Sequence, residues 1–309
     1  MRGSIFSTIK QTHRRWKLAK RMNGKYVFEN RKQDKKTACF ILAGYKEFLW
    51  DIHFDRVKSF VPEDVDVCII SSGLYSKNLA MIARNNNWSY ISTERNCVTL
   101  AQNVAISAFQ KAEFIFKIDE DIFVTRHFFD VMRKTYQHCI THGDYQPAFI
   151  APLIPVNGYG HLRVLEKLGR KDDYSSLFER PIFAAGADRQ IENNPDAAKF
   201  MWELAHIDDM ADGFYQEPFS YQSCPIKFSI GAIYFPRQTW SSMNGFSVKR
   251  GACMGLDEAD ICSLAMKKSL AIVVSENSVV GHLSFGSQNS YMQEYFLNYP
   301  EAFQIKARI

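Results

Sequence analysis

The segment EFIFKIDEDIFV, Glu113–Val124, decides how this sequence is interpreted. Its first half is an almost continuous apolar run, as expected of a strand that is covered on both faces of a sheet. Three consecutive carboxylates follow, Asp119, Glu120 and Asp121, and apolar residues then resume. Adjacent like charges at the end of a buried strand repel one another. We therefore expect a metal ion, a basic partner or water to neutralise them.

Outward from this segment, apolar runs alternate with helix-like stretches. The runs TACFILAG, DVDVCIISSG and WSYIST come before it, and stretches such as EFLWDIHFDRVKSF separate them. This alternation predicts an α/β fold, Rossmann-like, with a mixed but mainly parallel sheet flanked by helices. In such sheets ligands bind at the carboxyl ends of the strands. The residues at these predicted ends are Gly44, Tyr45, Ser71–Gly73, Thr93–Asn96 and Asp119–Asp121.

Length and composition fit a globular protein. The chain has 309 residues, 46% of them hydrophobic and 23% charged, which suits one large domain or two small ones. No apolar run approaches the about 18 residues of a membrane-spanning helix, and the basic N-terminus lacks the apolar core of a secretory signal. The seven cysteines form no CxxC pair. This favours reduced thiols in a cytoplasmic protein over a disulfide framework or a zinc site.

The excess of basic charge belongs to the first 36 residues. They contain 12 Lys and Arg against 2 Asp and Glu, whereas the rest of the chain contains 26 and 31. Apolar residues such as Ile5, Phe6 and Trp16 lie among these charges. Two interpretations stay open, a solvated tail or a peripheral contact with an anionic membrane surface. No recognition motif accompanies the charge, so we expect no nucleic-acid partner.

Asp119 and Asp121 form an Asp-x-Asp motif at the end of the fourth predicted strand. Hard oxygen ligands at alternate positions suit Mg²⁺ or Mn²⁺, which can in turn contact phosphate oxygens. The alternative is an acidic cap on a helix N-terminus. Phosphatases of the haloacid dehalogenase type also use Asp-x-Asp after a strand. Theirs lies on the first strand and continues with Thr or Val, whereas Phe123 stands at that place here.

Two further features could carry chemistry. The segment GLDEAD, Gly255–Asp260, begins a predicted helix, whose dipole would stabilise Asp257 and Glu258 as anions. A carboxylate there can accept a proton from a sugar hydroxyl, and capping of a surface helix is the alternative. His282, in the apolar run VVGHLSF, is either a core residue or, beside Asp121, a further ligand of the metal.

The order of these features resembles the GT-A glycosyltransferases, which use nucleotide-sugar donors. After Asp-x-Asp come a small-residue strand, the segment Asn244-Gly245-Phe246-Ser247, the acidic run and a late histidine. Over residues 37–285 the sequence is locally similar to glycosyltransferases of the β-1,4-galactosyltransferase type and of family 2. The galactosyltransferases have Trp-Gly-Trp-Gly-Gly before the acidic run, where this chain has ACMGL. Family 2 often has arginine where Gln102 stands.

The resemblance implies metal-dependent transfer of a sugar, with inversion, from a nucleoside-diphosphate donor to a hydroxyl of a glycan or lipid-linked glycan. UDP-sugar is the default donor. A nucleotidyltransferase that makes nucleotide sugars and a non-catalytic binding homologue are the alternatives. The protein would be bacterial, act in the biosynthesis of capsule or lipopolysaccharide, and lie in the cytoplasm or peripherally on the inner face of the membrane. The implied organisation is a basic tail (1–36) and one catalytic domain (37–309), with a donor half (37–124), an acceptor half (125–285) and a C-terminal tail (286–309).

The resemblance also assigns roles to individual residues. Glu258, or Asp257 instead, would be the general base. Asp121 and His282 would ligate Mn²⁺ or Mg²⁺, and Asp119 would reach the ribose or a metal-bound water. The other donor contacts would be Gly44, Tyr45, Ser72, Glu94, Arg95 and Asn103. The acceptor contacts would be Asn157, Tyr159, His161, Trp202 and Asp260. Alternatively, Asp260 would stabilise the loop.

Overall fold

The computed structural model describes Thr12 and residues 16–183, 189–225 and 227–307. These residues form two compact units, each assembled from three separate stretches of the chain. The predicted donor and acceptor halves were continuous stretches, so their boundaries do not coincide with those of the units. The first unit takes in the described residues up to Tyr45 with Glu63–Lys117 and Phe235–Lys268, and the second takes in Lys46–Pro62, Ile118–Tyr234 and the described residues from Ser269 onward.

The elements follow the predicted alternation in the first 120 residues and become less regular afterwards. Three short 3₁₀ turns, at Glu47–Leu49, Gly286–Gln288 and Pro300–Ala302, complete them. The strands are β1 (Tyr26–Glu29), β2 (Thr37–Leu42), β3 (Val65–Ser72), β4 (Ser89–Thr93), β5 (Phe114–Asp119), β6 (Ile122–Phe123), β7 (Pro147–Leu153), β8 (Tyr221–Cys224), β9 (Ala232–Pro236), β10 (Ala271–Val279) and β11 (Gly281–His282). The helices with described bounds are α1 (Trp50–Phe60), α2 (Lys77–Asn85), α3 (Val98–Ala108), α4 (Phe128–His142), α5 (Gly160–Leu168), α6 (Lys171–Leu177), α7 (Gln190–Asn193), α8 (Pro195–Glu203), α9 (Ile207–Gln216), α10 (Arg237–Ser242), α11 (Leu256–Lys267) and α12 (Asn289–Asn298).

The first unit is built on parallel strands. β3 pairs in parallel with β2 on one side and with β4 on the other, and β1 lies antiparallel to β4. Every residue of β3 and β4 is buried. Strands that are covered on both faces need apolar side chains at successive positions, which explains the continuous runs in the sequence. With helices packed on them, these strands confirm the predicted α/β fold class.

The second unit has a mixed sheet and a separate short ladder. β10 pairs in parallel with β7 and antiparallel with β8, and β9 lies antiparallel to β7. The two-residue strands β6 and β11 pair with each other. Because β6 directly follows the Asp-x-Asp motif and β11 contains His282, this ladder decides the geometry of the candidate site.

The described part of the predicted basic tail is folded into the first unit. β1 lies within residues 1–36 and pairs with β4, and Asp66 accepts hydrogen bonds from the backbone N–H groups of Gln33 and Lys35. A four-residue strand with exposed Tyr26 and Val27 has too weak an alternation to be recognised before its partner strand is known. Residues 1–11 and 13–15, which carry part of the predicted membrane contact, lie outside the described residues.

The cysteines and the lengths of the apolar helices are two general features of the chain. All seven cysteines lie in the described part of the chain, where none of them forms a disulfide, and six of them are buried. The reduced state of the thiols stays a prediction. No helix among the described residues is both long and apolar enough to cross a membrane.

Candidate active site

The ladder between β6 and β11 brings Asp121 and His282 together. His282 stands opposite Ile122, and Gly281 stands opposite Phe123. The backbone N–H of Leu283 donates to the carbonyl of Asp121 at 3.0 Å. Two residues that are 161 positions apart in the sequence thus become neighbours through backbone pairing.

His282 presents one ring nitrogen to the Asp121 carboxylate. Its Nδ1–H donates to the carbonyl of Val156 at 2.9 Å, and this hydrogen bond orients the ring so that Nε2 faces Asp121. Nε2 lies 3.6 Å from Oδ2 of Asp121. A carbonyl that holds the other ring nitrogen is the usual partner of a metal-binding histidine, because it selects the tautomer and orients the ring.

Asp121 and His282 fit a divalent cation as two of its ligands. Their 3.6 Å separation exceeds a hydrogen bond and suits two ligands that each lie about 2.1 Å from one ion at a wide angle. Among the residues that the structure describes, no group of three His, Cys, Asp or Glu side chains could hold a metal. Phosphate oxygens of a ligand and water would have to complete the coordination, as is common for Mg²⁺.

Asp121 remains ionised although it is largely buried. Burial by itself would raise the pKa of this carboxyl, but His282 and Lys46 outweigh burial and hold the pKa well below its usual range. Lys46 contributes an ion pair, with its Nζ on Oδ2 of Asp121. An acidic group that stays charged in a partly desolvated place is suited to bind cations.

The other two acids of the motif face different partners. Glu120 is buried and accepts a hydrogen bond from the indole N–H of Trp50 at 2.7 Å. The backbone N–H of Asp119 donates to the carbonyl of Gly231 at 2.8 Å. A Cβ at Gly231 would lie 2.9 Å from the Ile122 side chain, so glycine permits this close approach. This close approach explains why a glycine stands at position 231, in the small-residue segment that follows the Asp-x-Asp motif in the sequence.

His53 supports the motif from α1. Its Nδ1–H donates to the carbonyl of Ile122 at 2.7 Å, and its Nε2 has no hydrogen-bond partner. Burial lowers the pKa of His53 to about 4. His161 in α5 donates from Nδ1 to the carbonyl of Asn157, and burial likewise lowers its pKa to about 4. Both imidazoles are therefore neutral at pH 7.

Acidification is expected to destabilise the protein through these two histidines. In the unfolded chain each takes up a proton near pH 6.5, whereas in the folded chain it does so only near pH 4, so stability falls as pH falls through that window. Each should contribute a slope of about 1.4 kcal/mol per pH unit inside the window. Urea unfolding at pH 7, 6 and 5 measures the slope, and His161→Asn should reduce it by one histidine's share. An unchanged slope in this variant would contradict the assignment.

Three predicted acceptor contacts have internal partners in the second unit. The indole N–H of Trp202 donates to the carbonyl of His282 at 3.1 Å, and its ring packs on Phe303 with centroids 4.4 Å apart. Asn157 accepts from the N–H groups of Tyr159 and Gly160 at the start of α5, and the Tyr159 hydroxyl donates to Gln222. These contacts favour structural roles, and the acceptor contacts stay predictions.

In the first unit the predicted base candidates lie at the start of α11. Asp257 is buried, and its Oδ2 accepts a hydrogen bond from Nε2 of Gln102 at 2.8 Å. Glu258 is half-buried beside it in the chain. Asp260 accepts from the backbone N–H and the hydroxyl of Ser247, and both of its predicted roles stay predictions. The structure thus distinguishes a structurally engaged Asp257 from a more accessible Glu258.

Asn103, a predicted donor contact, holds the Asn244–Ser247 turn. Its Oδ1 accepts from the indole N–H of Trp240 and the backbone N–H of Phe246, and its Nδ2 donates to the carbonyl of Phe246. Gly245 has φ +78°, and a Cβ there would lie 2.9 Å from Oδ1 of Asn103. Packing within the unit therefore explains why this turn has the sequence Asn-Gly-Phe. A contact between Asn103 and the donor stays a prediction.

Asn103→Ala is expected to lower the free energy of unfolding by about 2–4 kcal/mol, because it leaves two buried N–H groups unpaired. Urea unfolding followed by circular dichroism measures the change. Asn85→Ala, at an exposed position in α2, is the matched control and should change stability by less than about 0.5 kcal/mol. Equal effects of the two variants would contradict the role of the Asn103 amide.

The remaining predicted donor residues lie at the carboxyl ends of the strands of the first unit. The Tyr45 hydroxyl donates to the carbonyl of Ser72 at 2.7 Å while 64% of the residue stays exposed, and Gly44 precedes it in the chain. Glu94 is exposed, and Arg95 donates to the carbonyl of Lys249. The structure therefore brings Tyr45 and Ser72 together, and Glu94 and Arg95 pair with other parts of the unit.

Sequence reasoning missed Lys46 and Val156 as residues of the site. No pattern in the sequence marks Lys46 as the partner of Asp121. Val156 acts through its backbone carbonyl, so its side chain carries no signal. Both contacts depend on tertiary structure.

Comparisons with known proteins address the fold. No family model and no curated protein sequence matches the chain. The structure is similar to that of GalNAc-T7 with UDP, GalNAc and Mn²⁺, at 11% identity and a TM-score of 0.50, over 87% of this chain and 51% of that one. The chain thus spans about half the length of GalNAc-T7. At this identity the likeness shows the fold alone, and it confirms the predicted GT-A fold.

A second similar structure is the mannosyltransferase PcManGT from Pyrobaculum calidifontis in complex with GDP-Man and Mn²⁺. It is 11% identical, and the match covers 95% of this chain and 72% of that one. Its TM-score of 0.46 is too low to add to the argument.

Proposed function

We propose that the chain is a glycosyltransferase that moves a sugar from a nucleoside-diphosphate donor to a hydroxyl of a glycan or lipid-linked glycan. The observation that carries this proposal is the pairing of Asp121 with His282, whose Nε2 faces the carboxylate while its Nδ1 is held by the carbonyl of Val156. The GT-A fold supports it, because GalNAc-T7, which has this fold, was solved with UDP, GalNAc and Mn²⁺. A UDP-sugar is the proposed donor.

The chain's own residues have separable roles in this proposal. Asp121 and His282 would hold Mn²⁺ or Mg²⁺, which when bound would stabilise the negative charge of the departing diphosphate. Asp119 would contact the ribose or a metal-bound water. Glu258 would take the proton of the acceptor hydroxyl, and Asp257, held by Gln102, would keep the start of α11 in place.

The reaction is proposed to invert the anomeric centre, because one carboxylate base serves a single displacement. NMR analysis of the product decides this point, and a retained configuration would exclude the base role of Glu258. The protein is further proposed to act on bacterial surface polysaccharide at the inner membrane face. Salt-dependent sedimentation with anionic vesicles tests this, and deletion of residues 1–15 should abolish it while sparing β1.

A thermal-shift screen of nucleoside diphosphates with and without Mn²⁺ tests the proposed ligand class. A ligand present at 100 times its dissociation constant stabilises the folded state by about 2.7 kcal/mol, which raises the melting temperature. We expect a rise with UDP that requires Mn²⁺. No rise with any nucleoside diphosphate would contradict the proposal.

Product analysis separates the proposed activity from its two alternatives. Release of UDP from a UDP-sugar in the presence of an acceptor supports sugar transfer. Release of pyrophosphate from a nucleoside triphosphate and a sugar 1-phosphate would show a nucleotidyltransferase. Binding of UDP with neither product would show a non-catalytic homologue.

A further inference from the structure

Lys46 is the cation that the structure places on Asp121. Its Nζ lies 2.5 Å from Oδ2 of Asp121 and 3.4 Å from Oδ1 of Asn289. The same Asn289 oxygen accepts a hydrogen bond from the Ser284 hydroxyl at 2.9 Å. The Lys46 and Asp121 side chains are only 21% and 14% exposed, so water screens their attraction weakly.

The ammonium group and the proposed cation need the same oxygen atom. Oδ2 of Asp121 contacts Lys46, and it is also the oxygen that lies 3.6 Å from Nε2 of His282. A divalent cation between Asp121 and His282 would therefore meet the positive charge of Lys46 at contact distance. Like charges at that distance repel strongly in a partly buried place. The two cations exclude each other unless Lys46 moves.

Lys46 has the means to move. Its side chain is a flexible four-carbon stem that carries a compact charge with three donors, and it makes no second ion pair among the described residues. An anionic ligand bound beside Asp121 would offer the displaced ammonium new acceptors. A diphosphate supplies such oxygens, and ammonium groups bind phosphate as point charges.

We propose that Lys46 is a displaceable counter-ion that couples metal binding to donor binding, an inference that rests on the proposed function. Without ligand, Lys46 neutralises Asp121 and keeps the affinity for a divalent cation low. When a nucleoside diphosphate binds with the cation, Lys46 leaves Asp121 and contacts a phosphate oxygen. Metal and nucleotide therefore bind cooperatively, and each raises the affinity for the other by the same factor.

Mn²⁺ titration followed by the EPR signal of free Mn²⁺ tests this inference on the full chain. Lys46→Met removes the charge and keeps most of the volume of the side chain. Without nucleotide it should bind Mn²⁺ about tenfold more tightly than the wild type, a factor within the usual range of coupling between ligands. UDP should tighten Mn²⁺ binding in the wild type and do so much less in the variant.

Two further variants serve as controls of charge and position. Lys46→Arg keeps the positive charge and should keep the low affinity for Mn²⁺ in the absence of UDP. Lys306→Met removes a lysine that is also 2.5 Å from a carboxylate, Asp209, at an exposed place, and should leave the titration unchanged. Circular dichroism establishes that each variant is folded, and Lys46→Gln replaces Lys46→Met if the latter is not.

The outcomes separate the inference from the function on which it rests. If Asp121→Asn abolishes Mn²⁺ binding while Lys46→Met binds it no more tightly than the wild type, the counter-ion role is refuted and the metal site stands. If Asp121→Asn binds Mn²⁺ like the wild type, the metal site and the counter-ion role both fail. Tighter binding by Lys46→Met that Asp121→Asn abolishes in the double variant supports both.

Discussion

Asp121→Asn is expected to abolish Mn²⁺-dependent binding of UDP and to lower the rate of sugar transfer by at least about 10³-fold. Asparagine keeps the size of the side chain but removes the negative charge that His282 and Lys46 stabilise. A metal contributes several kcal/mol to the stabilisation of a departing diphosphate, and each 1.36 kcal/mol corresponds to about tenfold in rate. Thermal shift with Mn²⁺ and UDP measures binding, and UDP release from UDP-sugar measures transfer.

The neighbouring acid provides the matched control for this prediction. Glu120→Gln removes a charge one position away and keeps an oxygen that can accept from the indole N–H of Trp50. Metal-dependent binding should therefore persist in this variant. If the two substitutions affect Mn²⁺-dependent UDP binding equally, charge near the strand end matters in general and Asp121 is not the specific ligand.

The alternation of strands and helices could be predicted because it follows from burial. β3 and β4 are buried along their whole length, and their sequences show it as continuous apolar runs. β1 could not be predicted, since its two exposed residues and its position in a basic segment hide its pairing with β4. Apolar residues in a strand mark the faces that other parts of the protein bury. An edge strand with little buried surface therefore shows little apolar pattern.

The proximity of Asp121 and His282 was expected only from a resemblance to a family. Their sequence separation carries no information on distance, and the short ladder between β6 and β11 is too brief for periodicity to reveal. The position of Lys46 was not expected at all. Which of the many lysines reaches a given carboxylate depends on packing, and a flexible side chain leaves no trace in the local sequence.

The roles of tryptophan and asparagine residues are ambiguous in a sequence for a physical reason. Aromatic rings and amides bind sugars, but they also fill cores and cap helices. Trp202 packs on Phe303 and donates to the carbonyl of His282, and Asn157 caps the start of α5. The residue type is the same in both roles, so only burial and hydrogen bonding distinguish them.

Glu258→Gln is expected to lower kcat for sugar transfer by about 10²–10⁴-fold, the usual contribution of a general base. Glutamine keeps the size and the polarity of the half-buried side chain, so the melting temperature and the Mn²⁺-dependent binding of UDP should not change. The acidic limb of the pH–rate profile should disappear, because the group that must lose a proton is gone. This readout distinguishes a base from a residue that only supports α11.

Asp257→Asn distinguishes the two adjacent carboxylates. Asp257 is buried and engaged by Gln102, and asparagine can accept the same hydrogen bond through its Oδ1. Transfer should fall by less than about tenfold in this variant, since only the strength of a charge-assisted hydrogen bond is lost. The acidic limb of the profile should remain. If Asp257→Asn removes the limb and Glu258→Gln preserves it, the base is Asp257, and the accessible position of Glu258 is then no guide to the chemistry.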